Sequence, residues 1–148
     1  MTFVNLKNAT LGKLVENNST TNLWVVDKLP SNINPMCELV TAVAEPNDTI
    51  TDIIKKWLSE AGIIPHLHQV KRDVQFQDLI THNPWLVFLV KEAHLLSKKS
   101  FINFFLIAEK TKGVVLQGDI LELGGKIFNN DRFMQRVDIG VHVNDAFE

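Results

Sequence analysis

The feature that most constrains this chain is an unbroken run of six apolar residues, Trp85 to Val90, followed at once by Lys91 and Glu92. An apolar run of this length is typical of a strand buried on both faces, as in a parallel sheet covered by helices. Charges that end such a strand fall at the carboxyl edge of the sheet, where α/β proteins keep their binding chemistry. The run therefore predicts a central strand that brings polar groups to a candidate site.

Segments with strand and helix patterns alternate on both sides of this run. Strands are predicted over Leu23–Val26, Ile63–Val70, Leu86–Val90, Val114–Leu116 and Val137–Val143. Helices are predicted over Cys37–Glu45, from a cap at Asp48 or Thr49 through Leu58, and over Asp73–Thr81, Ser97–Lys112 and Glu122–Phe128. The helix before Leu58 has the clearest stripe of apolar residues at helical spacing. The alternation predicts an α/β fold with three layers, α/β/α, and a mainly parallel sheet.

Length and composition limit the classes of protein that are open. The 148 residues predict a single domain, with residues 1–22 as an N-terminal arm or extra helix. A net charge of −2 gives no global basic surplus for nucleic acid. The single Cys37 excludes an internal disulfide and a cysteine-based zinc cluster. No apolar stretch reaches about 18 residues, so we expect no membrane insertion and a cytoplasmic location.

Metal binding has one weak indication in the sequence. His66 and His68 alternate along a predicted strand, a spacing that can bind zinc. No third ligand is evident near them in the sequence, so we expect neither a metal nor another cofactor.

The central run and the residues after it resemble a known family. Leu86 to Leu96, with the sequence LVFLVKEAHLL, resembles the Walker B strand of AAA+ ATPases, an apolar run followed by Asp-Glu-Ala-His or Asp-Glu-Ala-Asp. Ser97–Ala108 resembles the helix that follows that strand. Val114–Asp119 is similar to the next strand, with Gln117 at the position of the family's polar sensor.

A later segment extends the resemblance. Ile127–Val137, with Arg132 and Arg136, is similar to the segment that carries subunit-interface arginines in this family. The nearest members are the transposition and secretion ATPases of the TniB, Mu B and ExeA kind, with clamp-loader subunits next. The resemblance covers about residues 23–143 and implies a P-loop NTPase-like sheet.

Several positions depart from the family's pattern. A working P-loop needs two glycines, a lysine and a hydroxyl to hold the phosphates and Mg²⁺. In register with the predicted strand and helix, these positions hold Pro30, Pro35, Met36 and Cys37. The prolines lack the N–H groups that would wrap the phosphates. The resemblance therefore implies a degenerate nucleotide site in this loop.

The Walker B stretch departs from the pattern as well. Lys91 replaces the metal-binding Asp, and a cation there repels Mg²⁺. Glu92, the position that polarises water in active relatives, is retained. The helical lid of the family is expected to be absent. These departures predict a chain without ATPase activity.

Three hypotheses on function remain open. The favoured one is a non-catalytic AAA+-like module that binds a protein partner, such as an active ATPase or a subunit of a DNA-processing (transposition, replication) or secretion-type machine. The second is a small nucleotide-binding ATPase with an unconventional site formed by Lys28, Lys91 and Glu92. The third is an unrelated α/β protein-interaction module. A structure in which Leu23–Val26 does not lie in the sheet beside Leu86–Val90 would favour the third hypothesis over the first two.

Two pairs of basic residues are candidates for a partner interface. Arg132 and Arg136 lie four positions apart and would share a helical face, where they could act in an oligomer with an active partner. Lys98 and Lys99 could form a basic edge that contacts DNA phosphates. Each pair also has the plainer interpretation of solvated surface charge.

Overall fold

The computed structural model describes residues 3–5, 23–26, 38–128 and 141–143. Within these ranges six strands form one sheet: β1 (Phe3–Asn5), β2 (Leu23–Val26), β3 (Glu38–Val43), β4 (Leu86–Lys91), β5 (Val114–Gln117) and β6 (Val141–Val143). The order across the sheet is β1-β6-β2-β5-β4-β3, and every described pair is parallel. The predicted α/β class with a parallel sheet is confirmed.

The position of β2 corrects one detail of the prediction. β2 and β4 do lie in one sheet, but they are not adjacent, because β5 pairs with both of them. The shared sheet agrees with the AAA+-like hypotheses, whereas the lack of direct pairing counts toward the unrelated α/β module. Leu23 of β2 and Phe88 of β4 are both register partners of Val114 in β5. The two strands are therefore level with each other, and their carboxyl ends reach the same edge of the sheet.

Four α-helices belong to the described part of the chain. They are α1 (Ile50–Glu60), α2 (Gln69–His82), α3 (Phe101–Lys110) and α4 (Ile120–Phe128). Two short 3-10 turns, Ala93–Leu95 and Lys98–Ser100, lie between β4 and α3. The helix predicted from Ser97 therefore begins later, at Phe101, and the helix predicted from Asp73 begins earlier, at Gln69.

The helix predicted over Cys37–Glu45 is wrong, because the described part of this segment is the edge strand β3. Its residues pair in parallel with β4, from Glu38 opposite Leu86 to Val43 opposite Lys91. Val40, Ala42 and Ala44 are buried while their neighbours are not, which is the two-residue period of a strand. Apolar residues at 39, 40, 43 and 44 fit the helical period too, so the pattern alone was ambiguous.

The strand predicted over Ile63–Val70 is also wrong. The chain there is irregular up to His68, and α2 begins at Gln69. Side chains of α2 satisfy the loop backbone, since Gln75 and Arg72 bond to its amide and carbonyl groups. The loop therefore needs no strand partner.

The core is centred on Trp57 of α1, which is fully buried. Its indole Nε1 donates a hydrogen bond of 3.0 Å to the carbonyl of Leu89. Its ring centroid lies 5.9 Å from that of Phe76, 4.9 Å from Phe88 and 6.1 Å from Phe104. One residue thus joins α1, α2, β4 and α3 by aromatic contacts and by a bond to the sheet backbone.

The opposite face of the central strands is buried as well. The side chains on this face alternate along the strands with those that pack toward Trp57. They are Val87, Leu89 and Val115, and each is at most 1% exposed. Burial on both faces is what the unbroken apolar run predicted for β4.

The start of α1 is fixed by a local hydrogen-bonded cap. The Asp52 carboxylate accepts bonds from the Thr49 amide at 2.9 Å and from the Thr49 hydroxyl at 3.0 Å. The bond from the Thr49 amide lowers the pKa of Asp52, against the opposing effect of partial burial. The predicted cap at this position is thus confirmed, with Thr49 as the N-cap residue.

This cap makes part of the stability dependent on pH. Because the folded pKa of Asp52 is below its unfolded value, its contribution is complete above that unfolded value, near 3.8, and is lost as pH falls through the folded pKa. Asp52→Ala should lower the free energy of unfolding by about 0.5–2 kcal/mol at neutral pH. Urea unfolding of both proteins at several pH values should show this difference shrinking below the unfolded pKa. Asp73→Ala, at an exposed carboxylate of α2, is the control, and a difference that stays constant through the acid range would contradict the prediction.

Candidate functional site at the carboxyl edge of the sheet

The strand connections mark one position at the carboxyl edge of the sheet. The chain leaves β2 toward β3 at the far edge, whereas it leaves β5 through α4 toward β6 on the other side of β2. In open α/β sheets, ligands bind where neighbouring connections diverge in this way. The crevice next to the ends of β2 and β5 is therefore the candidate site.

A depression of about 350 Å³ lies at this edge, at the ends of β4 and β5, on the other side of β5 from the β2–β5 crevice. Its lining residues come from these two strand ends and are Lys91, Glu92, Gln117, Gly118 and Asp119. The structure therefore brings together the three residues that the sequence predicted from separate segments, Lys91, Glu92 and Gln117. Lys91, Glu92 and Asp119 are exposed, so their charges face solvent.

The backbone turns sharply at Glu92, directly after β4. Glu92 has φ 56° and ψ 36°, a left-handed conformation that costs a residue with a Cβ about 1–2 kcal/mol. The turn is closed by the Leu95 amide, which donates to the Glu92 carbonyl at 3.0 Å, and Ala93 beside it is fully buried. A strained residue persists only where the surrounding structure holds it in place. Such residues are found most often at functional sites.

His94 connects this turn to the beginning of α4. Its Nδ1 accepts a hydrogen bond of 3.1 Å from the Asp119 amide, so the neutral ring carries its proton on Nε2. That Nε2 lies 3.5 Å from Oε2 of Glu92 and 3.7 Å from Oε2 of Glu122. The ring is only 15% exposed and is therefore held between the two strand ends and the helix.

Gly118 allows this close approach. A Cβ at this position would lie 2.6 Å from Nδ1 of His94 and 3.1 Å from the backbone nitrogens of Ala93 and His94. Its amide donates to the carbonyl of Val26 at 3.2 Å, which ties the end of β5 to the end of β2. A glycine two residues after a predicted strand was the sequence signal for this contact, and sequence reasoning missed it.

The start of α4 is also engaged in structural contacts. Oδ1 of Asp119 accepts bonds of 3.1 Å from the amides of Leu121 and Glu122, so this carboxylate caps the helix. From the last turn of the same helix, Lys126 donates to the carbonyls of His94 and Leu96. The helix therefore braces the turn that holds Glu92, and its N-terminus already has an acidic cap.

The charges at the site do not form a metal centre. Within the described ranges, no group of three or more His, Cys, Asp or Glu side chains is arranged to hold a metal ion. Lys91 adds a positive charge beside Glu92 and Asp119, and it would oppose a divalent cation at the strand end. His66 and His68 lie in an exposed loop rather than on the predicted strand.

The remaining predicted site residues are divided between two parts of the chain. Lys98 and Lys99 are exposed on the second 3-10 turn after β4. The Ser97 amide, just before this turn, donates a hydrogen bond of 3.0 Å to the Asp48 carbonyl in the loop after β3. The other predicted positions lie outside the described residues: Pro30, Pro35, Met36, Cys37, Arg132 and Arg136.

No family model, curated protein or solved structure matches this chain. The function is therefore argued from the geometry of the site. No helix in the described part of the chain is long and apolar enough to cross a bilayer.

Proposed function

We propose that this chain is a non-catalytic AAA+-like module that binds a protein partner through the carboxyl edge of its sheet, as a subunit or regulator of a DNA-processing or secretion-type machine. The observation that carries the proposal is the placement of Lys91 at the tip of β4, beside Glu92 and Gln117. The resemblance assigns this position to a carboxylate that binds Mg²⁺. A cation there repels the Mg²⁺ that this carboxylate would hold, and it attracts anionic groups of a protein partner.

The architecture of the edge supports binding rather than turnover. β2 and β4 end at one edge, level with the intervening β5. Asp119 serves as a helix cap, and His94 bridges a strained turn to α4. Such a braced edge offers exposed charges on a rigid frame, which suits partner recognition. We propose a cytoplasmic location for this module, as the sequence predicts.

Calorimetric titration with MgATP, together with a phosphate-release assay, tests the absence of catalysis. We expect no turnover and no binding at micromolar concentrations of the nucleotide. Lys91→Asp, which restores the family's carboxylate, should leave turnover absent if the rest of the site is also degenerate. Micromolar binding with turnover that Glu92→Gln abolishes would overturn the proposal in favour of the unconventional ATPase.

Affinity capture with quantitative readout tests the partner-binding half of the proposal. Charge reversal at Lys98 and Lys99 should weaken capture of the partner and leave the free energy of unfolding within about 0.5 kcal/mol, as for ordinary surface changes. Lys112→Glu is a control at a basic residue near the amino end of β4, away from the carboxyl edge. It removes a cation placed 5.2 Å from the centre of the Trp85 ring. Unchanged capture would exclude this patch, and binding of a DNA duplex instead would favour the basic-edge interpretation. Arg132 and Arg136 remain the second pair to reverse.

A further inference from the structure

The surface of α2 and of the loop before it carries a row of exposed aliphatic side chains. Four residues form this α2 stripe, namely Ile64, Leu67, Val70 and Val74, with exposed fractions of 89%, 96%, 65% and 56%. Their spacing of three, three and four residues places the two helical members on one side of α2, away from its buried face. Several large exposed aliphatic side chains on one helix and on the loop that it holds indicate an interaction site, whereas a single exposed aliphatic residue does not.

The loop that presents Ile64 and Leu67 is held in place by polar side chains of α2. Gln75 accepts a bond of 2.8 Å from the His66 amide and donates one of 2.9 Å to the Ile64 carbonyl. Arg72 is only 5% exposed, and its Nη1 donates to the carbonyls of His66 at 2.9 Å and Leu67 at 3.2 Å. The backbone that carries these two exposed side chains is therefore held in place, which lowers the entropic cost of ordering the loop on binding.

The charges beside the stripe are complementary to a second copy of the same helix. Lys71 and Asp78 are exposed and lie seven residues apart, three before and four after Val74, on one flank of the stripe. When two copies of a helix pack antiparallel about a two-fold axis, equal flanks face each other. With the axis near Val74, Lys71 of each copy would lie opposite Asp78 of the other, and Val74 would meet its own copy.

The carboxyl end of α2 is suited to being covered by Leu67 of the second copy. The Thr81 hydroxyl donates to the Gln77 carbonyl at 2.8 Å, and Nδ1 of His82 lies 2.8 Å from the Asp78 carbonyl. Both side chains thus have polar partners within their own helix. Covering groups that are already hydrogen-bonded costs little desolvation free energy.

We propose that this chain forms a two-fold symmetric dimer through the α2 stripe, with reciprocal Lys71–Asp78 pairs between the copies. The 14 residues of α2 span about 21 Å, so the buried area falls at the low end of specific interfaces, and the dimer is weak and reversible. None of these residues lines the depression at the carboxyl edge. The inference therefore goes beyond the proposed function and does not depend on it.

Sedimentation equilibrium of the full chain, from about 10 µM to about 1 mM, tests this proposal. We expect the wild-type chain to show a rising dimer fraction, and Val74→Asp to stay monomeric. Lys71→Glu and Asp78→Lys should each weaken association about tenfold or more, because each places like charges opposite each other. The double variant Lys71→Glu with Asp78→Lys should recover association, because it restores the pairs with their signs exchanged.

Lys55→Glu, the same charge change at an exposed position of α1, is the matched control and should leave association unchanged. All of the substituted positions are exposed, and circular dichroism checks that each variant is folded. A wild-type chain that is monomeric at every concentration overturns the proposal. Association that is insensitive to both single reversals, or that the double variant fails to recover, overturns it equally, because either result places the interface elsewhere.

Discussion

Trp57→Ala is expected to lower the free energy of unfolding by about 3–5 kcal/mol, a large part of the total stability of an ordinary domain. The indole is fully buried and contacts Phe76, Phe88 and Phe104, so its removal leaves a cavity between three helices and the sheet. The bond to the Leu89 carbonyl is lost as well. Guanidinium unfolding followed by circular dichroism at the helical band measures the effect.

Trp57→Phe separates the two contributions in this experiment. A phenyl ring keeps most of the aromatic packing and loses the Nε1–H donor, whose net contribution is about 1 kcal/mol. We therefore expect a clearly smaller loss than in Trp57→Ala. A loss below about 1.5 kcal/mol for the alanine variant would show that the cluster is not packed as described.

Gly118→Ala is expected to lower the free energy of unfolding by about 1–3 kcal/mol, as overpacking does in well-packed regions. The added methyl group would lie 2.6 Å from Nδ1 of His94, whose ring is held by the Asp119 amide. It would also lie 3.1 Å from two backbone nitrogens, which cannot move aside by changing a rotamer. Urea unfolding gives the stability change, and NMR of the His94 ring reports its displacement.

Gly125→Ala is the matched control for this substitution. Gly125 lies inside α4, and nothing lies within 4 Å of the place where its Cβ would be. The same added methyl group should raise the free energy of unfolding there by about 0.4–1 kcal/mol, through the lower entropy of the unfolded chain. Equal effects at both glycines would contradict the close approach at Gly118.

A double-mutant cycle assigns the Gly118 effect to its neighbour. With His94→Ala in place, the contact at 2.6 Å is gone and only the backbone contacts remain. The cost of Gly118→Ala should then be smaller than in the wild-type chain, by an interaction free energy of about 0.5 kcal/mol or more. Strict additivity would show that the ring does not limit the space around Gly118.

The two proposals concern different surfaces of the molecule. The carboxyl edge carries Lys91 and Glu92 beside a strained turn, whereas the α2 stripe carries exposed aliphatic side chains flanked by Lys71 and Asp78. A dimer formed through α2 would present two carboxyl edges to partners. Bivalent presentation raises apparent affinity without any new contact at the edge itself.

Local patterns were sufficient for the parts of the fold in which one signal dominates. The unbroken apolar run determined β4 and its burial on both faces, because a strand covered on both sides hides every side chain from Leu86 to Val90. The apolar spacing from Ile50 to Leu58 and the cap at Thr49 determined α1. The charges after β4 determined that Lys91 and Glu92 would lie at a carboxyl edge of the sheet.

Only the tertiary structure decided the elements and contacts that depend on distant partners. β3 is a strand because its backbone pairs with β4, more than forty residues away, whereas its apolar spacing fitted a helix equally well. His94 and Gly118 meet because β5 lies next to β4, and nothing in either segment alone specifies that distance. The sequence by itself therefore determined the burial of β4 and of the apolar face of α1, and which strand ends in charge, since these follow from local period and polarity. The strand order and the neighbours of each side chain were decided by long-range pairing, which a local pattern does not encode.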